Sequence, residues 1–156
     1  MPEQIVIKEG AIFIADSHEN ENRKNFLRFL YALKSGEIKT PQLFLMGDMF
    51  DFLAAQCEFF VKFYEPYIDV INEISKKTEI YYFEGNHDFN LAPLFKNVKT
   101  YPIGTQPVKF ASKCQKCVFI AHGDIFLPLV SKYALRFLRV KIFLKTMNFF
   151  DKFLNF

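Results

Sequence analysis

The sequence predicts an α/β fold in one domain, a buried sheet flanked by helices. Three observations lead there. Short continuous apolar runs, residues 43–46 and 80–83, have the length and composition of strands buried on both faces. They alternate with segments whose apolar residues recur at helical spacing, such as 22–33. At 156 residues, 51% hydrophobic and 24% charged, the chain can bury one sizeable core and is neither disordered nor collagen-like.

Taken in order, residues 5–8 and 11–15 read as a short hairpin around Glu9-Gly10. Residues 22–33 form a helix with 26, 27, 30 and 33 facing inward, closed by Ser35-Gly36. The run 43–46 is a buried strand. Residues 57–74 are helical, broken or kinked at Pro66. The run 80–83 is the next buried strand. Segments 108–111 and 117–121 bracket a polar turn, 112–116, and read as a hairpin. From about 129 to the end the absence of Gly and Pro predicts one or two further helices.

Four of these apolar runs end in similar polar clusters: Asp16-Ser17-His18, Gly47-Asp48-Met49-Phe50-Asp51, Gly85-Asn86-His87-Asp88 and His122-Gly123-Asp124. In an open α/β sheet the carboxyl ends of the strands line one edge, where ligands bind, so the clusters are expected to converge. All 3 histidines of the chain lie in them. Taken singly, Asp16-Ser17-His18 and Gly47-Asp48 are ordinary turns; together and in this order they point to a site. Carboxylate, imidazole and amide oxygen form a ligand set suited to Mn, Fe or Zn rather than Ca. The glycines at 47, 85 and 123 are expected to bring backbone close to that site.

Asp-x-His, Gly-Asp-x-x-Asp, Gly-Asn-His-Asp and His-Gly-Asp, in this order over residues 11–124, resemble the calcineurin-like metallophosphoesterases. The resemblance implies the N-terminal portion of a β-sandwich flanked by helices, with two divalent ions, Mn²⁺ first and Fe or Zn as alternatives. It implies that Asp16 and His18 hold the first ion, that Asp48 bridges, and that Asn86 and His122 hold the second. It makes His87 the group that protonates or stabilises the leaving oxygen, with Asp51, Asp88 and Asp124 orienting the ligands. Within the family the runs look most like the UDP-2,3-diacylglucosamine pyrophosphohydrolases of lipid A synthesis. That likeness implies cleavage of a nucleotide-lipid diphosphate to UMP and 2,3-diacylglucosamine 1-phosphate by metal-activated hydroxide. The other readings are a small-substrate phosphodiesterase or phosphatase, and a catalytically impaired scaffold of the same fold.

One departure stands out. The family carries a further Gly-His-x-His motif after His-Gly-Asp, and here no histidine follows His122. The expectation is a metallophosphoesterase core over 1–124, incomplete or truncated, followed by a basic, Phe-rich helical cap or tail over 125–156. That tail carries +5 of the net +3, leaving −2 for the body. Lys132, Arg136 and Arg139 fall on one helical face, a candidate contact for substrate or a membrane surface. The 21 Phe residues have two explanations, codon bias and surface rings that bind lipid or another chain; 7 of them lie in the last 32 residues.

Three cysteines and no signal-peptide pattern favour a reducing compartment. No apolar run is long enough to span a bilayer, so the protein is expected to be cytoplasmic, peripheral on the inner membrane if it meets a lipid. Cys114-x-x-Cys117 has no second pair and reads as structural or incidental. Neither a Gly-x-Ser-x-Gly nucleophile elbow nor a Gly-rich phosphate loop is present, and no nucleic-acid polymer is expected as partner. Oligomeric state is left open.

Overall fold

The computed structural model describes residues 5–126. Its centre is a parallel sheet of four strands, β1 (Ile12–Ile14), β2 (Gln42–Leu45), β4 (Glu79–Phe83) and β6 (Val98–Tyr101), in that spatial order. Register pairs Phe13 with Phe44, Phe44 with Tyr81, and Tyr81 with Lys99. Helix α1 (Asn25–Ser35) links β1 to β2, and α2 (Glu58–Phe63) and α3 (Glu65–Ile74) lie between β2 and β4. Strands laid down in one direction with crossovers of one hand keep their helices on one face.

Strand periodicity then divides the apolar residues between two cores. Leu43 and Leu45 of β2 and Ile80 and Tyr82 of β4 pack with Phe26 and Leu30 of α1 and with Tyr67, Ile71 and Ile74 of α3. The alternate residues, Phe44, Tyr81 and Phe83, turn to the opposite face and meet Phe110 and Ile120. Those two residues belong to a second sheet, β7 (Val108–Ala111) paired antiparallel with β8 (Cys117–Ile120). Two covered faces explain why Leu43, Phe44 and Leu45 of β2 run apolar without alternation: all four residues of the strand, Gln42 included, are buried. They also absorb part of the Phe and Tyr excess as packed rings, with Phe44 centroids 4.8 Å from Tyr81 and 5.4 Å from Phe110.

Helix α1 ends as its sequence predicts, with Gly36 at φ 82° and its N–H bonded to the Leu33 carbonyl. Pro66 falls in the first turn of α3, where its missing N–H costs nothing, so the predicted long helix is two. The 108–111/117–121 hairpin is present, with Cys114 in its 112–116 turn and Cys117 at the start of β8, both exposed free thiols.

The N-terminal hairpin is not. Residues 5–7 leave β1 and join the second sheet: Val6 pairs parallel with Ala111, Ile7 N–H donates to the Ala111 carbonyl at 2.8 Å, and Ala111 N–H donates to Ile5 at 2.9 Å. Ile5 and Ile7 thereby reach the inter-sheet core, burial that a local hairpin would not provide. Strand β6 was not anticipated, and neither was the two-residue parallel ladder of β3 (Leu53–Ala54) with β5 (Asp88–Phe89). The predicted helices after 129, and with them most of the 125–156 segment, lie outside the described residues.

Candidate active site

Three of the four polar clusters follow adjacent strands of the parallel sheet, as expected. The fourth follows β8 of the second sheet, so the site sits where the two layers meet rather than along one sheet edge. The β1–β2 ladder continues beyond the strands and sets the first two clusters in register. Asp16 N–H donates to the Gly47 carbonyl at 3.2 Å, and His18 N–H to the Asp48 carbonyl at 3.0 Å. Asp16, His18 and Asp48 all hold positive φ, 52°, 43° and 53°. Side chains adopt this region at a cost of about 1–3 kcal/mol each, which surrounding structure must sustain. The consequence is chemical: one ligand atom from each of the three lies within 4.8 Å of the others, a group that could hold a metal ion.

Asp48 is buried and faces a second set of groups. Its Oδ2 lies 3.6 Å from His122 Nε2, which is in turn 3.5 Å from Asp124 Oδ1. His122 Nδ1 donates to the Met46 carbonyl at 2.7 Å, which leaves Nε2 as the ring's acceptor in the neutral form. Asn86 completes this side. With its amide nitrogen towards the carboxylates it donates to Asp48 Oδ2 at 2.8 Å and to Asp124 Oδ2 at 3.0 Å. That is the flipped amide; as it stands, the side-chain oxygen faces those carboxylate oxygens with no donor between them, an arrangement that a cation would compensate. The donor set therefore fits divalent ions on both sides of Asp48.

His87 stands against the first group, its ring perpendicular to that of His18 with centroids 4.9 Å apart. Its Nδ1 donates to the Asp51 carbonyl at 2.6 Å and its backbone N–H to Asp48 Oδ1 at 3.1 Å. The Asp51 carboxylate lies 3.6 Å from His18 Nδ1 and accepts from Asn20 Nδ2 at 2.6 Å and from Arg23 at 3.4 Å.

Asp88 is fully buried and ties the loops together. Its Oδ1 accepts the Asp48 and Gly85 N–H groups, each at 3.0 Å; its Oδ2 accepts the Met49 N–H at 2.7 Å and the Tyr82 hydroxyl at 2.6 Å. Burial pushes its carboxyl up to about 6, against the four donors that favour the charged form. Two glycines make these approaches possible. A Cβ at Gly47 would stand 2.6 Å from His122 Nδ1, and one at Gly85 would stand 2.2 Å from Asp48 Oδ1. Gly123, expected to act alike, does not: a Cβ there meets nothing within 4 Å.

Three residues of the site were not singled out in the sequence. Gln106 accepts the His122 N–H at 2.7 Å while its amide donates to the Glu84 and Tyr101 carbonyls. Tyr82 holds Asp88, and Glu19 lies buried directly behind His18. Only Glu19, an acid beside Asp-x-His, carried a local signal. Lys132, Arg136 and Arg139 lie outside the described residues. Among the described residues no helix is long and apolar enough to cross a membrane.

Two curated relatives, both named UDP-2,3-diacylglucosamine hydrolase and from Histophilus somni strains 2336 and 129Pt, are 28% identical over 119 residues, 72% of this chain. The chain spans about half, 48%, of the length of these relatives. Among solved structures, a nuclease MPE from Pseudomonas putida is similar with a TM-score of 0.40 and 22% identity over 59% of this chain and 47% of that one. The family model of the calcineurin-like phosphoesterases matches residues 11–154, a span that takes in all four clusters around Asp48, and to this family the chain belongs.

Proposed function

We propose that the chain carries the metal-dependent phosphoester-cleaving site of a UDP-2,3-diacylglucosamine hydrolase, releasing UMP and 2,3-diacylglucosamine 1-phosphate. The observation that carries the reading is the position of Asp48, between Asp16 and His18 on one side and Asn86 and His122 on the other. The names of the curated relatives support the substrate. When bound there, two divalent ions, Mn²⁺ or else Fe or Zn, would neutralise phosphoryl charge and supply a hydroxide near neutral pH.

The chain's own residues do the rest. Asp16, His18, Asp48, Asn86 and His122 supply the ligands. Asp51, Asp88 and Asp124 hold those ligands in place. Water oxygen forms a bond to phosphorus and the bridging P–O bond breaks. With its Nδ1–H held by the Asp51 carbonyl, His87 acts through Nε2: as the imidazolium it gives the leaving oxygen the Nε2 proton, becomes the neutral ring, and regains a proton from solvent before the next turnover. Lys132, Arg136 and Arg139 are proposed to meet the lipid or a membrane surface, placing the protein in the cytoplasm and peripheral to the inner membrane.

The test is metal analysis and hydrolysis by the purified chain, beside Asp48→Ala. Wild type should retain Mn²⁺ that the variant loses and should cleave the UDP-lipid. Cleavage of bis-p-nitrophenyl phosphate without the UDP-lipid would favour a small-substrate enzyme. Wild type holding no more metal than the variant, and cleaving neither substrate, would sink the enzymatic reading.

A further inference from the structure

Glu19 is 1% exposed and makes no ion pair among the described residues. Such a carboxylate is retained only where its lone pairs are well satisfied, and Glu19 satisfies them by joining three elements. Its Oε1 accepts the Phe26 N–H at 2.9 Å and its Oε2 the Tyr67 hydroxyl at 2.9 Å. The first bond serves a need of α1, whose N-cap residue, Lys24, offers no side-chain cap and whose first turn has no acid. Glu19 therefore caps the helix from the preceding loop, with its charge at the positive end of the helix dipole. The second bond fixes it to α3.

The Glu19 backbone is held as firmly. Its N–H donates to the Met49 carbonyl at 2.9 Å, while its own carbonyl accepts the Asp51 N–H at 3.1 Å and the Tyr64 hydroxyl at 2.7 Å. The residue directly before it is His18, held at φ 43°. A β- or γ-substituted residue relaxes from that conformation unless its neighbours forbid it. Glu19 is the neighbour with side-chain anchors in both helices.

We infer that Glu19 is a positioning residue: it clamps the Asp16–His18 turn between α1 and α3 and so keeps His18 in its strained, ligating posture. The role rests on the metal-site reading above, and it differs from capping alone because it acts on the imidazole. Titration of Mn²⁺ into wild type, Glu19→Ala and Ile71→Val tests it, with the His18 ring signal followed by NMR in the metal-free proteins. Ile71→Val loosens the same helix-side core without touching Glu19. Glu19→Ala should weaken Mn²⁺ binding about 10–100-fold, the range for residues that orient ligands, and should shift or broaden the His18 signal. Ile71→Val, at a comparable loss of thermal stability, should do neither, and Glu19→Gln should recover most of the affinity.

Should Glu19→Ala fail to fold, Tyr67→Phe removes one of the two carboxylate bonds and should weaken binding about threefold. A folded variant with wild-type Mn²⁺ affinity and an unmoved His18 signal overturns the inference. Absence of Mn²⁺ binding in wild type counts instead against the metal site, and the metal-free His18 signal then decides the role of Glu19 by itself.

Discussion

Replacing Asp88 by Asn tests the claim that one buried carboxylate ties the site's loops together. An Asn oxygen in the place of Oδ1 keeps the Asp48 and Gly85 N–H bonds, although both lose their charge assistance. The amide nitrogen then occupies the Oδ2 position. There it faces the Tyr82 hydroxyl, which can turn to accept, and the Met49 N–H, which cannot. The opposite orientation is worse, since it confronts two N–H groups. One buried donor left unsatisfied costs about 1–3 kcal/mol. The two weakened bonds add to this, and relief from burying a charge offsets part of it, for a net loss of about 2 kcal/mol. Asp88→Ala abandons all four donors and should cost about 4 kcal/mol or more. With an m-value of about 1.5 kcal/mol per M in urea, the Asn variant should unfold about 1.3 M earlier than wild type. It should also bind Mn²⁺ more weakly, because the bonds that join the Asp48 and Gly85 backbones lose their charge and the Met49 N–H loses its acceptor. A midpoint within about 0.3 M of wild type would mean that the four short contacts contribute little.

Three further outcomes follow from the same structure. Gly47→Ala incurs a left-handed penalty of about 1–2 kcal/mol and pushes the His122 ring off the Met46 carbonyl, for about 2–3 kcal/mol in all. Gly123→Ala, with nothing near its Cβ, should stay within about 0.5 kcal/mol of wild type in the same urea series. At the far end of the sheet, hydrogen bonds from Gln42 and Lys8 hold the Glu79 carboxyl down at about 2. Its folded value lies below the ordinary one, so its contribution is present above about pH 4.5 and is lost as pH falls through 2. Its side chain is 47% exposed, and solvent screening limits the contribution to about 1 kcal/mol. Thermal midpoints from pH 6 to 2 should therefore converge for wild type and Glu79→Gln, and a constant gap across that range would contradict the assignment.

What the sequence discloses and what it conceals divide along a physical line. Strands β2 and β4 were legible because both faces of each are buried, which leaves an unbroken apolar run. The candidate ligands were legible because each follows its strand by two to four residues, so local sequence carries both parts. Strand β6 was not: Val98-Lys99-Thr100-Tyr101 is nowhere fully buried, and its pairing with β4 supplies the strand character that its composition lacks. The destination of residues 5–7 was concealed for the same reason. Their apolar alternation suits a hairpin or a second sheet equally, and a partner more than a hundred residues away decides.

The anchors of the site extend this division. Asp88 joins the loops after β2 and β4, Glu19 joins the loop after β1 to two helices, and Gln106 joins the His122 loop to the ends of β4 and β6. None of the three needs a fixed spacing from the groups it holds, because each acts through hydrogen bonds across the fold. Their common property is a polar side chain, buried in Asp88 and Glu19 and half-buried in Gln106, whose polar atoms bond to groups in separate segments of the chain. That property is invisible in a linear pattern, yet it is what Asp16, His18 and Asp48 require, since left-handed backbone at three neighbouring side chains persists only under constraint. The candidate ligands can be read from the chain as motifs, whereas the posture that would let them ligate belongs to the tertiary structure. Substitutions at the anchors should therefore reduce metal affinity while every motif remains intact.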